Sequence, residues 1–261
     1  MKIEILGAHN TESRDTRLPC LLIDDAIALD AGSLTSSLSF EQQMNIKAIL
    51  LTHGHYVHLC DIPTLGLNLL FRDGHASVCT HNSVLDMLTK YLLNGDIYPD
   101  FFNKPEDNPT FYMKTLEYFK PEIIENYSVL PLPVKHSIPA CGYLIEDRAG
   151  KTIFYTGDTG TGLSEIWQHI DPDIIFIETT ASNKQTEQVR NNGHLTPELL
   201  YEELSCFQEV KSYLPKVITL HMDPASEPEI IQEIAEMSAR FNADIETASE
   251  GMVIYLSLIH I

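Results

Sequence analysis

Three histidines fall within the short stretch Thr52-His53-Gly54-His55-Tyr56-Val57-His58, directly behind the apolar run Ile46-Lys47-Ala48-Ile49-Leu50-Leu51. No other feature constrains the chain as much. Such a run reads as a buried strand, and a strand that ends in His-x-His sets two imidazoles on the same side of an extended backbone. The third imidazole follows within one turn, where Leu59 to Leu70 is expected to be helical. Neutral imidazole is the commonest metal ligand, and a cluster so spaced suits a zinc-type ion at a strand end. The competing reading, exposed loop histidines, loses ground because partner residues follow downstream.

Those partners stand mostly where strands are expected to end. His136 closes Val129-Leu130-Pro131-Leu132-Pro133-Val134-Lys135, and Ser137-Ile138-Pro139 breaks the strand behind it. Asp158 lies in Phe154-Tyr155-Thr156-Gly157-Asp158-Thr159-Gly160, where glycine permits a sharp turn that leaves a carboxylate at the end of a sheet. His194 sits in Gly193-His194-Leu195-Thr196-Pro197, ahead of a helix, and His221 ends Val217-Ile218-Thr219-Leu220. Taken singly, each reads more readily as a satisfied structural residue. The weight lies in the ordered set. His9, His75, His81 and His169 lack such settings and read as structural or exposed.

The pattern of apolar runs predicts short strands at Lys2–Leu6, Cys20–Ile23, Ala26–Asp30 and 46–52. Helices are expected over 59–70 and 82–94, with a strand at Ala76–Thr80 between them. Asn94 to Pro109, with Gly95 and three prolines, reads as a long loop of the kind that often carries function. Strands follow over 112–117, 127–134, 142–146 and 151–156. Strand and helix then alternate: Ile174–Glu178, Pro197–Val210 (helix), Val217–Leu220 and Glu227–Phe241 (helix). Strands in the middle of each half with helices flanking them imply an α/β protein of two packed sheets. No linker composition divides the chain, so 1–256 reads as one domain, and 257–261 as a non-native tail in which His260 has no function.

Charge narrows the partners. Seventeen basic and 37 acidic residues give −20, which disfavours a nucleic acid polymer and points to a small-molecule substrate. The five cysteines (Cys20, Cys60, Cys79, Cys141, Cys206) lack C-x-x-C spacing and read as reduced thiols, with Cys60 close to the histidine cluster. Neither a signal peptide nor a membrane-length apolar run is visible, so a cytoplasmic protein without a membrane partner is expected. The sequence leaves a homodimer open.

With these residues in view, the chain resembles the metallo-β-lactamase superfamily from Asp30-Ala31-Gly32 to His221. Within it, the chain is most similar to the class II 3′,5′-cyclic-nucleotide phosphodiesterases. The supporting text is Asp96-Ile97-Tyr98-Pro99-Asp100-Phe101, His136-Ser137-Ile138-Pro139, Gly157-Asp158-Thr159-Gly160 and Gly193-His194-Leu195-Thr196-Pro197. The resemblance implies an αββα sandwich of two mixed sheets flanked by helices, with metal at one edge. It implies one or two Zn2+ ions, or another divalent transition metal. His53, His55 and His136 would hold the first, His58 and His221 the second, and Asp158 would bridge. Two divalent ions about 3.5–4 Å apart acidify a shared water towards a pKa of about 7, which suits attack on phosphorus in line with a departing 3′ oxygen. His194, with Asp158, would be catalytic, as general acid or as a partner of the phosphoryl oxygens.

One position departs from the family pattern H-x-H-x-D-H: Val57 stands where an aspartate would ligate the second metal. Three protein ligands remain there, compatible with an open zinc site. A weakened phosphodiesterase that yields a nucleoside 5′-monophosphate is the favoured reading. A single-metal enzyme, an inactive relative and an altered sequence also remain. Asp61, one turn on, reads as an ordinary helix residue rather than a substitute ligand. The alternatives at the level of function are a ribonuclease Z-like RNA-processing hydrolase and a catalytically silent binding protein.

Overall fold

The computed structural model describes residues 1–256, so the expectation of a non-native tail at 257–261 lies outside the described residues. The strands are β1 (Lys2–Gly7), β2 (Cys20–Ile23), β3 (Ile27–Leu29), β4 (Ala48–Leu50), β5 (Ala76–Thr80), β6 (Phe111–Thr115), β7 (Glu122–Ile124), β8 (Tyr127–Pro133), β9 (Cys141–Glu146), β10 (Thr152–Tyr155), β11 (Ile174–Glu178), β12 (Lys216–Leu220), β13 (Ile245–Thr247) and β14 (Val253–Tyr255). They form two seven-stranded sheets, ordered β14-β1-β2-β3-β4-β5-β6 and β13-β12-β11-β10-β9-β8-β7. The two sheets repeat one plan. Pairing is antiparallel from β14 to β3 and from β7 to β10, then parallel from β3 to β6 and from β10 to β13.

Helices cover the outer faces. They are α1 (Leu34–Ser37), α2 (Phe40–Gln43), α3 (Ile62–Leu70), α4 (Asn82–Met87), α5 (Ser164–Trp167), α6 (Thr186–Asn191), α7 (Pro197–Lys211) and α8 (Glu227–Phe241). Period-two alternation sorts the side chains. On β4, Ala48 and Leu50 join the central core with Ile5, Leu21, Val129, Tyr143 and Phe176, whereas Ile49 joins the outer layer with Leu65 and Leu69 of α3. A third cluster packs Ile175 and Ile177 of β11 against Leu200 and Phe207 of α7 and Ile234 of α8. The result is the expected sandwich of two mixed sheets between helical layers.

Several boundaries differ from expectation, for local reasons. The helix expected from Leu59 begins at Ile62, with Pro63 in its first turn, where a missing N–H costs nothing. Before it, Tyr56–His58 form a 3₁₀ turn. The helix expected over 82–94 is α-helical only to Met87 and continues as a π-helical turn over Leu88–Leu92, closed by Leu93 N–H donating to the Leu88 carbonyl (2.8 Å). No described helix is long and apolar enough to cross a membrane.

Candidate metal centre

The donor residues collect where the two sheets meet at one edge. The chain leaving β4 makes an isolated antiparallel bridge, His53 with Ala140, beside the start of β9, and Cys141 N–H donates to the Thr52 carbonyl (3.0 Å). This splice brings the histidine cluster of the first sheet against the loops that carry His136 and Asp158 on the second. Three residues turn the backbone at strand ends with positive φ: Asp30 after β3 (59°), Gly157 after β10 (59°) and His221 after β12 (65°). That conformation is uncommon for side chains with a Cβ. Asp30 and His221 adopt it while buried and aimed at the edge. At Gly157 a Cβ would also stand 2.7 Å from the Thr52 side chain, so glycine is required there.

Three groups of donor atoms result, the third being Glu178, His194 and His221. His53, His55, His136 and Asp158 offer one ligand atom each within 4.8 Å of one another, and so do His58, Asp158 and His221. In the first, His53 Nε2 and His136 Nε2 lie 3.1 and 3.0 Å from His55 Nδ1, with Asp158 Oδ2 at 3.6 Å from His53 Nε2. In the second, Asp158 Oδ1 stands 3.1 Å from His58 Nε2 and 3.3 Å from His221 Nε2. All six residues that the sequence singled out for metal are thus brought together. His58 Nε2, His221 Nε2 and Asp158 Oδ1 are buried and make no hydrogen bond despite that proximity. Three orphaned polar atoms facing one point would be costly, and a divalent cation at their focus satisfies all three.

The donor rings of His58, His136 and His221 are held from behind. The carboxylate of Asp30 accepts from His58 Nδ1 (2.8 Å), Thr52 N–H (2.8 Å) and the Tyr155 hydroxyl (2.7 Å). His136 Nδ1 donates to the Gly193 carbonyl (2.9 Å), and His221 Nδ1 meets Thr180 Oγ1 (2.9 Å). Such partners fix ring orientation and which nitrogen faces the metal. Burial depresses His53, helped by the neighbouring imidazoles, to well below the usual histidine range. Burial opposes charge on His58 as well, but the carboxylates of Asp158 and Asp30 outweigh it and push the ring to about 10. Burial would raise Asp158, yet His221, His58 and His53 hold its carboxyl well below the usual carboxylate range.

His194 stands at the rim, its Nδ1 4.0 Å from Asp158 Oδ2 and 2.6 Å from Glu178 Oε1. Burial lowers this imidazole, but the Glu178 carboxylate raises it to about 9. Glu178, at the end of β11 and 1% exposed, also accepts from Thr159 N–H, Leu195 N–H and the Thr180 hydroxyl. Sequence reasoning assigned no role to Glu178, Asp30 or Thr180. Glu178 had a signal: an acidic residue closing the apolar run Ile174-Ile175-Phe176-Ile177 is affordable only if paired.

Other candidates fall outside the donor set. Val57 lies in the 3₁₀ turn and offers no donor, and the Asp61 carboxylate accepts from Thr35 N–H in α1 (2.7 Å). The Cys60 thiol donates to the Gly32 carbonyl (3.3 Å), and all five cysteines are free. His9 is buried between Glu250 and Glu227.

A two-sheet sandwich whose edge gathers imidazoles around a shared carboxylate is the architecture of a metal-dependent hydrolase. The chain belongs to the beta-lactamase superfamily: the model of the beta-lactamase superfamily domain matches residues 28–222, a span that holds every donor named above. Among solved structures it is similar to unliganded yeast PDE1, at 18% identity and a TM-score of 0.84 over 98% of this chain and 99% of that one. It is also similar to the metallo-beta-lactamase fold protein YhfI from Bacillus subtilis, at 16% identity and 0.78 over 97% and 98%. The short form of human tRNase Z follows, at 16% and 0.69 over 99% and 100%. No curated protein matches the sequence.

Proposed function

We propose that this hydrolase is a phosphodiesterase that opens a small 3′,5′-cyclic nucleotide to the nucleoside 5′-monophosphate. The observation that carries the reading is His194: an imidazole at the rim of the donor set whose Nδ1 lies 2.6 Å from Glu178, the carboxylate that pushes it up to about 9. Breaking the bond from phosphorus to the 3′ oxygen leaves an alkoxide that needs a proton, and His194 is the group placed to give it. Support also comes from end-to-end similarity to yeast PDE1, a cyclic nucleotide phosphodiesterase.

In this reading His53, His55, His136 and Asp158 would hold one ion, and His58, His221 and Asp158 a second. Histidine-rich sets of three or four donors suit zinc. Divalent ions bound there supply Lewis acidity and a water acidic enough to attack at neutral pH. The chain's own part is to orient that chemistry. Asp30 and Thr180 fix the rings of His58 and His221, and Glu178 keeps His194 protonated. Val57 leaves the second ion short of a ligand, which weakens the enzyme without closing the site. The free thiols suit a reducing compartment such as the cytoplasm.

A ribonuclease Z-like activity has the similarity to human tRNase Z in its favour, but a chain of net charge −20 opposes a long polyanion. The deciding experiment compares wild type with His194→Ala. Turnover of a cyclic nucleotide should fall about 10²–10⁴-fold with metal content intact. An activated aryl phosphodiester, whose leaving group needs little protonation, should suffer far less. Cleavage of RNA ends without cleavage of cyclic nucleotides would overturn the reading in favour of the RNA processor, and an absence of bound metal in favour of a silent binding protein.

A further inference from the structure

An apolar slot of about 170 Å³ opens beside the histidine cluster, lined by Gly54, Tyr56, Leu59, Met87, Tyr91 and Leu92. Three of its residues interleave with proposed ligands along the chain: Gly54 lies between His53 and His55, Tyr56 follows His55, and Leu59 follows His58. Neighbouring Cα atoms are about 3.8 Å apart, so the slot adjoins the backbone that carries the proposed ligands. The opposite wall comes from the π-helical turn that continues α4. With more than four residues per turn, a π turn brings side chains four and five apart onto one face, and Met87, Tyr91 and Leu92 have that spacing. Gly54 lets the two walls close in, because a Cβ there would push the Met87 thioether aside. Two large aromatics remain unspent at the mouth, Tyr56 at 62% and Tyr91 at 56% exposure.

We propose that this slot binds the heterocyclic base of the substrate, stacked between the Tyr56 and Tyr91 rings and over the Met87 sulfur. The inference rests on the phosphodiesterase reading above and names the part of the substrate that gives it affinity. A cavity of this size is too small for a typical drug-sized ligand, but it suits a single planar ring system. Its lining offers aromatic faces and a polarisable thioether rather than charge. Stacking of that kind tolerates any base, so the slot supplies affinity more than discrimination between bases.

The test uses Tyr91→Ala and Tyr56→Ala in the metal-loaded protein, with Tyr255→Ala, far from the slot, as control. Two readouts are taken: KM and kcat for adenosine and guanosine 3′,5′-cyclic phosphates, and binding of the free nucleosides by calorimetry. Each slot variant should raise KM about tenfold or more, leave kcat little changed, and weaken nucleoside binding by a similar factor. The KM ratio of cyclic nucleotide to base-free cyclic ribose phosphate should rise with it. Unchanged KM and nucleoside affinity in both slot variants would overturn the proposal while leaving the phosphodiesterase reading intact. So would a rise produced instead by Asn192→Ala, in the polar recess beside His194. Nucleoside binding that depends on Tyr91 in a protein that cleaves no cyclic nucleotide would uphold the slot and overturn the reaction. Neither cleavage nor nucleoside binding would overturn both.

Discussion

His53, His55 and His136 meet around one oxygen of Asp158 where the sandwich edge is half open, whereas His58 and His221 meet around the other oxygen inside the fold. The outer cluster has four donors, and its most buried ring, His53, is held neutral by burial. The inner cluster has three donors, and Val57 beside it adds none. Its His58 lies between the carboxylates of Asp158 and Asp30, which push that ring up to about 10. In the outer cluster His53 therefore has its lone pair ready for an ion. The inner one must first give up a proton. Burial alone does not make a strong site; what matters is whether the buried donors are free in the protonation state that the metal needs.

The sharpest way to break this comparison is to remove what the clusters share. Asp158→Ala should empty the inner cluster and strip the outer one of its only anionic donor. Activity should fall by more than the about 10²–10⁴-fold assigned to a single general acid, with metal content measured by elemental analysis. Retention of two ions would show that the clusters do not depend on a common carboxylate.

Val57→Asp should affect the inner cluster alone. Even partners of ligands are worth about 10–100-fold in affinity or activity, so a restored ligand should tighten the second ion by at least that factor and raise turnover at limiting metal. Equal tightening of both ions, or none, would remove the asymmetry.

The last comparison concerns protons. With His58 pushed to about 10, inner-cluster affinity should rise about tenfold per pH unit between pH 6 and 8, because one proton leaves as the ion enters. His53 and His55 of the outer cluster should release none, since burial holds both below the usual histidine range. Calorimetry in buffers of different ionisation enthalpy counts the released protons. A count that is the same for both ions would contradict the assignment of His58.

How far the sequence carried the reading varies between elements. β11 and α8 lie where their periodicity placed them, residue for residue, because each is a full apolar run or a long amphipathic one. β7, β13 and β14, each of three residues and partly exposed, show no comparable pattern. Single-turn helices such as α1 and α5 are too short for a 3.6-residue period to register. At the site, His53, His55 and His58 announced themselves by spacing. Asp30 could not, because its meaning depends on Tyr155, 125 residues away. The halt of α4 at Met87 and its passage into a π turn have no local signature in the sequence.

Asp30 rises from the first sheet and its hydroxyl partner Tyr155 from the second, while the six proposed ligands divide equally between the two halves, three in each. An ion bound there is consequently a rivet through the seam of the sandwich. The halves cannot part without releasing it, and the folded form alone offers the whole ligand set. Metal supply then acts on the lifetime of the chain as well as on its chemistry: free ion at one hundred times its dissociation constant adds about 2.7 kcal/mol to folding. A cell short of the metal would carry a looser molecule, more open to proteases along that seam.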